Sequence, residues 1–141
     1  MKNFLLDTNI CIYLLKGLFN IHRIIEQVGP ENCMVSEITI AELKYGAENS
    51  EYRERKRKVV NQFSLRFGIL PIFRALDTYA VEKARLKKEG LPLHDLDLFI
   101  GTTAMANNLI LVTRDVSHFQ RLQGIELQNW VDGDLPGLVD S

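Results

Sequence analysis

Asn3-Phe4-Leu5-Leu6-Asp7-Thr8-Asn9-Ile10-Cys11 is the stretch that decides the fold. Phe4-Leu5-Leu6 is an apolar run without alternation, the mark of a strand covered on both faces, and it stops at a carboxylate. Directly afterwards Ile10, Leu14 and Leu18 recur at helical spacing, with Cys11 and Leu15 beside them. A buried strand running straight into an amphipathic helix is the first half of a parallel unit. The same alternation continues outward. Ile21–Val28 reads as a second helix stopped by Gly29-Pro30, Cys33-Met34-Val35 as a strand, and Ser36 as the cap of a helix running to Gly46. Glu51–Phe67 reads as a charged helix and Ile69–Ile72 as a strand. Asp77 or Thr78 opens a helix closed by Gly90 and Pro92, and Asp95–Asn107 gives another. Leu109–Val112 is a strand and Ile125–Leu127 a short last one. The expectation is an α/β fold, with a short, mostly parallel sheet flanked by helices on both faces.

A chain of 141 residues suits one domain with one sizeable core, expected over residues 1–131, with 132–141 as a loosely held tail. Apolar residues at 46% and charged residues at 25% argue against disorder. The net charge of −1 excludes a uniformly basic nucleic-acid binder. That average hides opposed blocks: residues 44–88 carry twelve basic and five acidic side chains, whereas residues 89–141 carry two and eight. A polyanion can therefore meet one surface while acids gather on another. Cys11 and Cys33 have no zinc-type spacing and read as small core residues. Asp7 interrupts the N-terminal apolar run before a signal-peptide core can form, and the uncharged run Leu98–Thr113 is too short and polar to span a bilayer. The expectation is a soluble, cytoplasmic protein with no membrane contact.

Four acids are out of place. Asp7 ends the first strand and Asp115 follows the Leu109–Val112 strand, at the edge where open parallel sheets bind ligands. Each also suits a plainer role, Asp7 as the cap of the helix beginning at Thr8 and Asp115 as the cap of the turn before Ser117-His118-Phe119. Glu42 projects with Ile38, Ala41 and Tyr45, and Asp97 with Ile100, Gly101 and Ala104. For Glu42 the plain alternative is a capping box with Thr39, which needs a helix starting at Thr39; for Asp97 it is first-turn placement. Four carboxylates converging on one rim would repel unless a cation intervened, and hard oxygen ligands select Mg²⁺ or Mn²⁺. Such an ion suits phosphodiester hydrolysis.

These residues resemble a family. Leu6-Asp7-Thr8-Asn9-Ile10, Ser36-Glu37-Ile38-Thr39-Ile40-Ala41-Glu42-Leu43-Lys44-Tyr45-Gly46-Ala47, Asp97-Leu98-Phe99-Ile100-Gly101 and Leu111-Val112-Thr113-Arg114-Asp115, in that order and spacing, resemble the PIN-domain ribonucleases. Within them they are similar to the VapC toxins of bacterial toxin–antitoxin pairs. The resemblance implies a three-layer PIN-like fold and a Mg²⁺- or Mn²⁺-dependent endoribonuclease, with Asp7, Glu42 and Asp97 as catalytic, metal-binding acids. Asp115 matches a fourth position that is often Asn in these toxins. Thr8, Thr113 and Ser36 match supporting polar positions. The resemblance further implies a structured RNA substrate such as tRNA, a homodimer, and a neutralising VapB-like antitoxin. Gly101-Thr102 departs from the small alanines more common there, which bears on packing rather than chemistry. Asp95 reads as a helix cap before it reads as an extra ligand.

Arg53, Arg55, Lys56, Arg57 and Lys58 form the strongest basic cluster, a candidate RNA-tracking surface. The same run also reads as a solvated face with Glu51–Arg55 and Glu54–Lys58 pairing one turn apart. Lys83, Arg85, Lys87 and Lys88 form a second face of this kind. His22, His94 and His118 are scattered and lack ligand spacing; His94, close in sequence to Asp97, reads as a surface residue before it reads as a substrate contact. A receiver-type phosphotransfer domain would need paired acids after the first strand, where Thr8-Asn9 stands. A PIN-like scaffold without turnover and a DNA- or flap-directed nuclease remain open.

Overall fold

The computed structural model describes residues 2–133. Its strands are β1 (Phe4–Leu6), β2 (Cys33–Ser36), β3 (Gly68–Leu70), β4 (Ile110–Val112) and β5 (Leu127–Gln128). They alternate with helices α1 (Thr8–Lys16), α2 (Ile21–Val28), α3 (Glu37–Glu48), α4 (Arg53–Ser64), α5 (Leu76–Glu89), α6 (Asp95–Ala106) and α7 (Val116–Phe119). The sheet runs in the order β3-β2-β1-β4-β5, and every pairing is parallel. β1 sits in the middle, with Leu5 beside Met34 on one flank and Leu111 on the other.

Successive residues of β1 enter opposite cores, which is why the run has no polar face. Phe4 and Leu6 pack with Ile10 and Leu14 of α1, Ile24 of α2, Leu43 of α3 and Phe63 of α4. Leu5 packs with Leu86 of α5, Leu98 and Ala104 of α6, and Phe119 of α7. Both faces are therefore dry, the condition a parallel sheet requires. The chain leaves β1 towards β2 on one side, while β4 lies on the other. The crevice beyond the carboxyl ends of β1 and β4 is thus the topological switch point of the sheet.

Several boundaries move for local reasons. α1 stops at Lys16, short of Leu18, because Gly17 turns left-handed at φ 69° and its N–H closes onto the Leu14 and Tyr13 carbonyls. Leu18 is 42% exposed as a result. β3 ends at Leu70, before Pro71, which has no N–H to offer a ladder. α4 begins at Arg53 rather than Glu51, and a single 3₁₀ turn, Phe73–Ala75, leads into α5. Of the expected tail, residues 134–141 lie outside the described residues; Asp132 accepts from Arg114 Nε at 3.0 Å.

Cys11 and Cys33 are buried free thiols, donating weakly to the carbonyls of Leu6 and Gly29. Burial pushes the Cys33 thiol up to about 12 and Cys11 well above its usual range. Gly101 lets α7 and the turn after it approach α6. A Cβ there would stand 2.3 Å from Leu122 Cδ1 and 3.2 Å from Phe119 Cδ1, both side chains being 1% exposed. Gly101→Val is expected to lower the unfolding free energy by about 2 kcal/mol, the overpacking penalty outweighing the better helix propensity. Denaturant titration reads this directly, and an unchanged midpoint would mean that Leu122 has room to swing away.

Candidate active site

The carboxyl end of β1 delivers Asp7 to the switch point, and the backbone of α1 begins one residue later. Asp7 is the N-cap of α1, accepting from Thr8 N at 2.8 Å through Oδ1. Its second oxygen accepts from Thr113 Oγ1 at 2.7 Å, just past the end of β4. The capping role anticipated for Asp7 is thus real, and it occupies only one of the two oxygens.

Glu42 reaches the same place from α3. That helix starts at Glu37, with Ser36 Oγ accepting from Ile38 N at 3.0 Å, so a capping box from Thr39 to Glu42 is excluded. Thr8 Oγ1 instead donates to Glu42 Oε1 at 2.7 Å. A hydroxyl has one proton, so the 3.0 Å contact between Thr8 and Thr39 must run from Thr39 to Thr8. Thr113 works the same way, donating to Asp7 and accepting from Asp115 N at 2.9 Å. The Thr113 hydroxyl, the Thr8 backbone N–H and the Thr8 hydroxyl together link Asp7, Glu42 and the backbone of Asp115 into one network. Ser36, by contrast, spends its hydroxyl on its own helix. The face expected to bury Glu42 is more open than its apolar composition suggests, because Thr39, Leu43 and Ala47 turn into the core while Tyr45 stays 71% exposed.

Asp97 lies in the first turn of α6, as the plain reading had it, and above buried Ile100, Gly101 and Ala104. It lines a cleft of about 440 Å³ together with Pro92, Leu93, His94, Asp115, His118 and Arg121. Asp115 occupies the N-cap position of α7, but its carboxylate caps no backbone N–H of that helix; its Oδ1 meets His118 Nδ1 instead. Asp95 is drawn away to α5, where Tyr79 Oη and Lys83 Nζ each donate to it at 2.8 Å.

The charges of neighbouring acids bear on Asp7 and on Asp97. Burial chiefly pushes the Asp7 carboxyl up to about 6, against its hydrogen bonds from Thr113 and Thr8, and the charges of Asp97 and Glu42 add to the rise. Burial also raises Asp97, with Asp115 adding and His94 and His118 opposing. As the side chains stand, no three His, Cys, Asp or Glu among the described residues close to a geometry that holds a metal ion. The donor chemistry nonetheless suits a hard cation. Asp7 is 5% exposed and its partners are neutral donors, while Asn9 Oδ1, two residues on, is buried with no partner among the described residues.

Residues 4–125 match the PIN domain family. The chain is 37% identical over 134 residues to ribonuclease VapC2 of Haemophilus influenzae, covering 93% of this chain and 100% of that one. It is 33% identical to the tRNA(fMet)-specific endonuclease VapC of Shigella flexneri, with 92% and 99% covered. This chain belongs to the VapC family of PIN-domain proteins. A chain of the DNA-bound VapBC crystal structure from Salmonella typhimurium superposes with a TM-score of 0.86 at 32% identity, covering 92% of this chain and 99% of that one.

On this VapC scaffold the basic cluster sits along α4, but its charges are not all free. Arg57 forks both oxygens of Glu48, with contacts of 2.7 and 2.8 Å from one nitrogen, and lies 3.8 Å from Glu54. Neither expected pair, Glu51–Arg55 or Glu54–Lys58, is among the ion pairs of the described residues, Glu51 lying outside the helix. What the sequence did not single out is the cleft wall of His118 and Arg121. The signal was present in the three-residue spacing from Asp115 to His118, which one turn of helix brings onto one side.

Because the folded carboxyl of Asp7, at about 6, lies above its ordinary 3.8, the folded chain holds a proton that the unfolded chain has lost. The stability this contributes is complete below pH 3.8 and disappears as pH rises through about 6. Asp7→Asn should therefore melt like the unsubstituted protein at pH 4. At pH 8, without divalent cations, it should be more stable by roughly 1–2 kcal/mol, the new amide N–H offsetting part of the relief. Melting curves of the two proteins across that range, differenced at each pH, isolate Asp7 from the other acids.

Proposed function

We propose that this protein is a toxin-type endoribonuclease that hydrolyses phosphodiester bonds of a structured RNA, tRNA first among candidates. The observation that carries the reading is Asp7, a carboxylate buried without a cationic partner at the sheet's switch point and joined through Thr8 to Glu42. Burying such a charge is costly unless something cationic arrives. The curated relatives named ribonuclease and tRNA(fMet)-specific endonuclease support the substrate class.

In this reading Asp7, Glu42, Asp97 and Asp115 are the catalytic, metal-binding set, and Mg²⁺ or Mn²⁺ is the cofactor. Such an ion supplies a water of lowered pKa and neutralises charge on the phosphoryl group. The chain's own residues set the stage. Thr113 and Thr8 fix both oxygens of Asp7, Thr8 turns Glu42 towards it, and Thr39 orients Thr8. His118 steadies Asp115 from one turn further on. Arg53, Arg55, Lys56 and Lys58 would track RNA phosphates, with Arg57 contributing less because Glu48 already holds it.

A VapB-like antitoxin belongs to the same proposal, supported by the VapBC complex that the fold resembles. So does a homodimer, for which Tyr45 and Phe73, 71% and 80% exposed, offer apolar surface. Among the described residues no helix is long and apolar enough to cross a membrane, in keeping with an enzyme that meets RNA in the cytoplasm. A second reading, a PIN scaffold that binds without turnover, draws on the acids' failure to close into a ligand cluster.

Partner-free protein incubated with total tRNA should give discrete cuts in Mg²⁺ or Mn²⁺ and none in EDTA. Asp7→Asn and Asp97→Asn should each slow cleavage by about a thousandfold or more. Retention of tRNA without cleavage under any metal would instead favour the binding scaffold. Cleavage indifferent to EDTA and to both substitutions would overturn the carboxylate site.

A further inference from the structure

Arg121 is placed unlike the chain's other well-anchored arginines. Arg57 is spent on Glu48, Arg85 on Glu82 and Glu89, and Arg114 on Asp132. Arg121 pairs with no carboxylate among the described residues, although Asp97 and Asp115 line the same cleft. Its guanidinium is anchored on a neutral group, and a second contact holds its backbone. Nη1 donates to Pro92 O at 3.0 Å, and its own carbonyl accepts from Arg85 Nη2 at 2.7 Å. Arg85 is in turn seated on Glu82, a 5% exposed carboxylate that also accepts from Gln123 N at 2.7 Å.

This chain of contacts has a physical result. Glu82 on α5 fixes the backbone on either side of Leu122, and the Pro92 carbonyl fixes one corner of the guanidinium. A carbonyl partner does not neutralise the charge, and the remaining N–H donors of Arg121 meet no acceptor among the described residues. A guanidinium is permanently charged and presents a planar fork that fits phosphate oxygens. A cation free to move would fold onto the two acids; this one is tethered away from them, so both signs persist in one cleft. His94, exposed and making no side-chain cap to α6, and His118, exposed beyond its contact with Asp115, stand on the same wall.

We propose that Arg121, flanked by His94 and His118, is a seat for a backbone phosphate of the RNA next to the scissile one. The inference rests on the ribonuclease reading above and deepens it by naming where the substrate is gripped. It also reverses the weight of the sequence blocks. The conspicuous basic run on α4 is partly self-neutralised, whereas one of only two basic residues in the acidic block 89–141 is the cation aimed into the cleft.

The test measures binding of total tRNA in an Asp7→Asn background, so that turnover does not intrude, at several salt concentrations. Arg121→Gln should weaken binding by about 5- to 20-fold and lower the slope of log affinity against log salt by about one. Arg121→Lys should keep the slope but recover only part of the affinity, the fork being lost. His94→Gln should weaken binding by about 2- to 5-fold with an unchanged melting point. Should Arg121→Gln fail to fold, Arg121→Lys and His94→Gln decide, and wild-type affinity in both overturns the seat. If the unsubstituted chain cuts tRNA and a folded Arg121→Gln binds with unchanged affinity and slope, the seat alone falls. If the unsubstituted chain neither binds nor cuts tRNA, the ribonuclease reading falls and takes the seat with it.

Discussion

The hydrogen bond from Thr113 to Asp7 is the contact on which the carboxyl edge of the sheet depends. It joins residues 106 apart in the chain and exists only because β1 and β4 are neighbours in register, Leu6 beside Val112. The residue that matters follows directly on each strand, so pairing the strands pairs the side chains. The same hydroxyl accepts from Asp115 N, and Thr8 does the equivalent work towards Glu42. Short polar side chains thus hold acids in place without neutralising them. A lysine or arginine in either threonine position would instead set a cation beside these acids and remove their unmatched negative charge.

The fold was legible because its strands are buried on both faces and its helices are punctuated. Phe4-Leu5-Leu6 has no polar member to confuse its reading, and Ser36, Gly90 and Pro92 mark helix ends by mechanisms that act locally. Local signals were weaker where tertiary contacts decide. α7 is a four-residue helix, too short for periodicity to reveal, and it exists because Phe119 and Leu122 pack against the bare backbone at Gly101. The exact starts of α4 and α5 likewise follow from packing rather than from capping residues.

The candidate site was legible in part for the same reason. Asp7 and Asp115 follow strands, and the inward placement of Asp97 is a matter of helical phase. Glu42 was chosen on a face taken to be buried, and the structure leaves that face half open; what matters is its partner Thr8, a contact across 34 residues that no spacing encodes. Arg121 was invisible as a member of a cleft because its partner is the Pro92 carbonyl, distant in sequence. Charge counts misled in a particular way. They record how many cations a segment carries, whereas the structure records which are already answered by an acid.

The two buried thiols have a consequence of a different sort. Cys11 and Cys33 line the core beneath α1 and β2, and burial keeps both protonated, which removes the nucleophilic form. Neither can react with an alkylating reagent while the molecule stays closed. Their labelling rate is therefore a clock for core breathing, written into the natural sequence, with one hand on α1 directly behind Asp7 and the other at the start of β2.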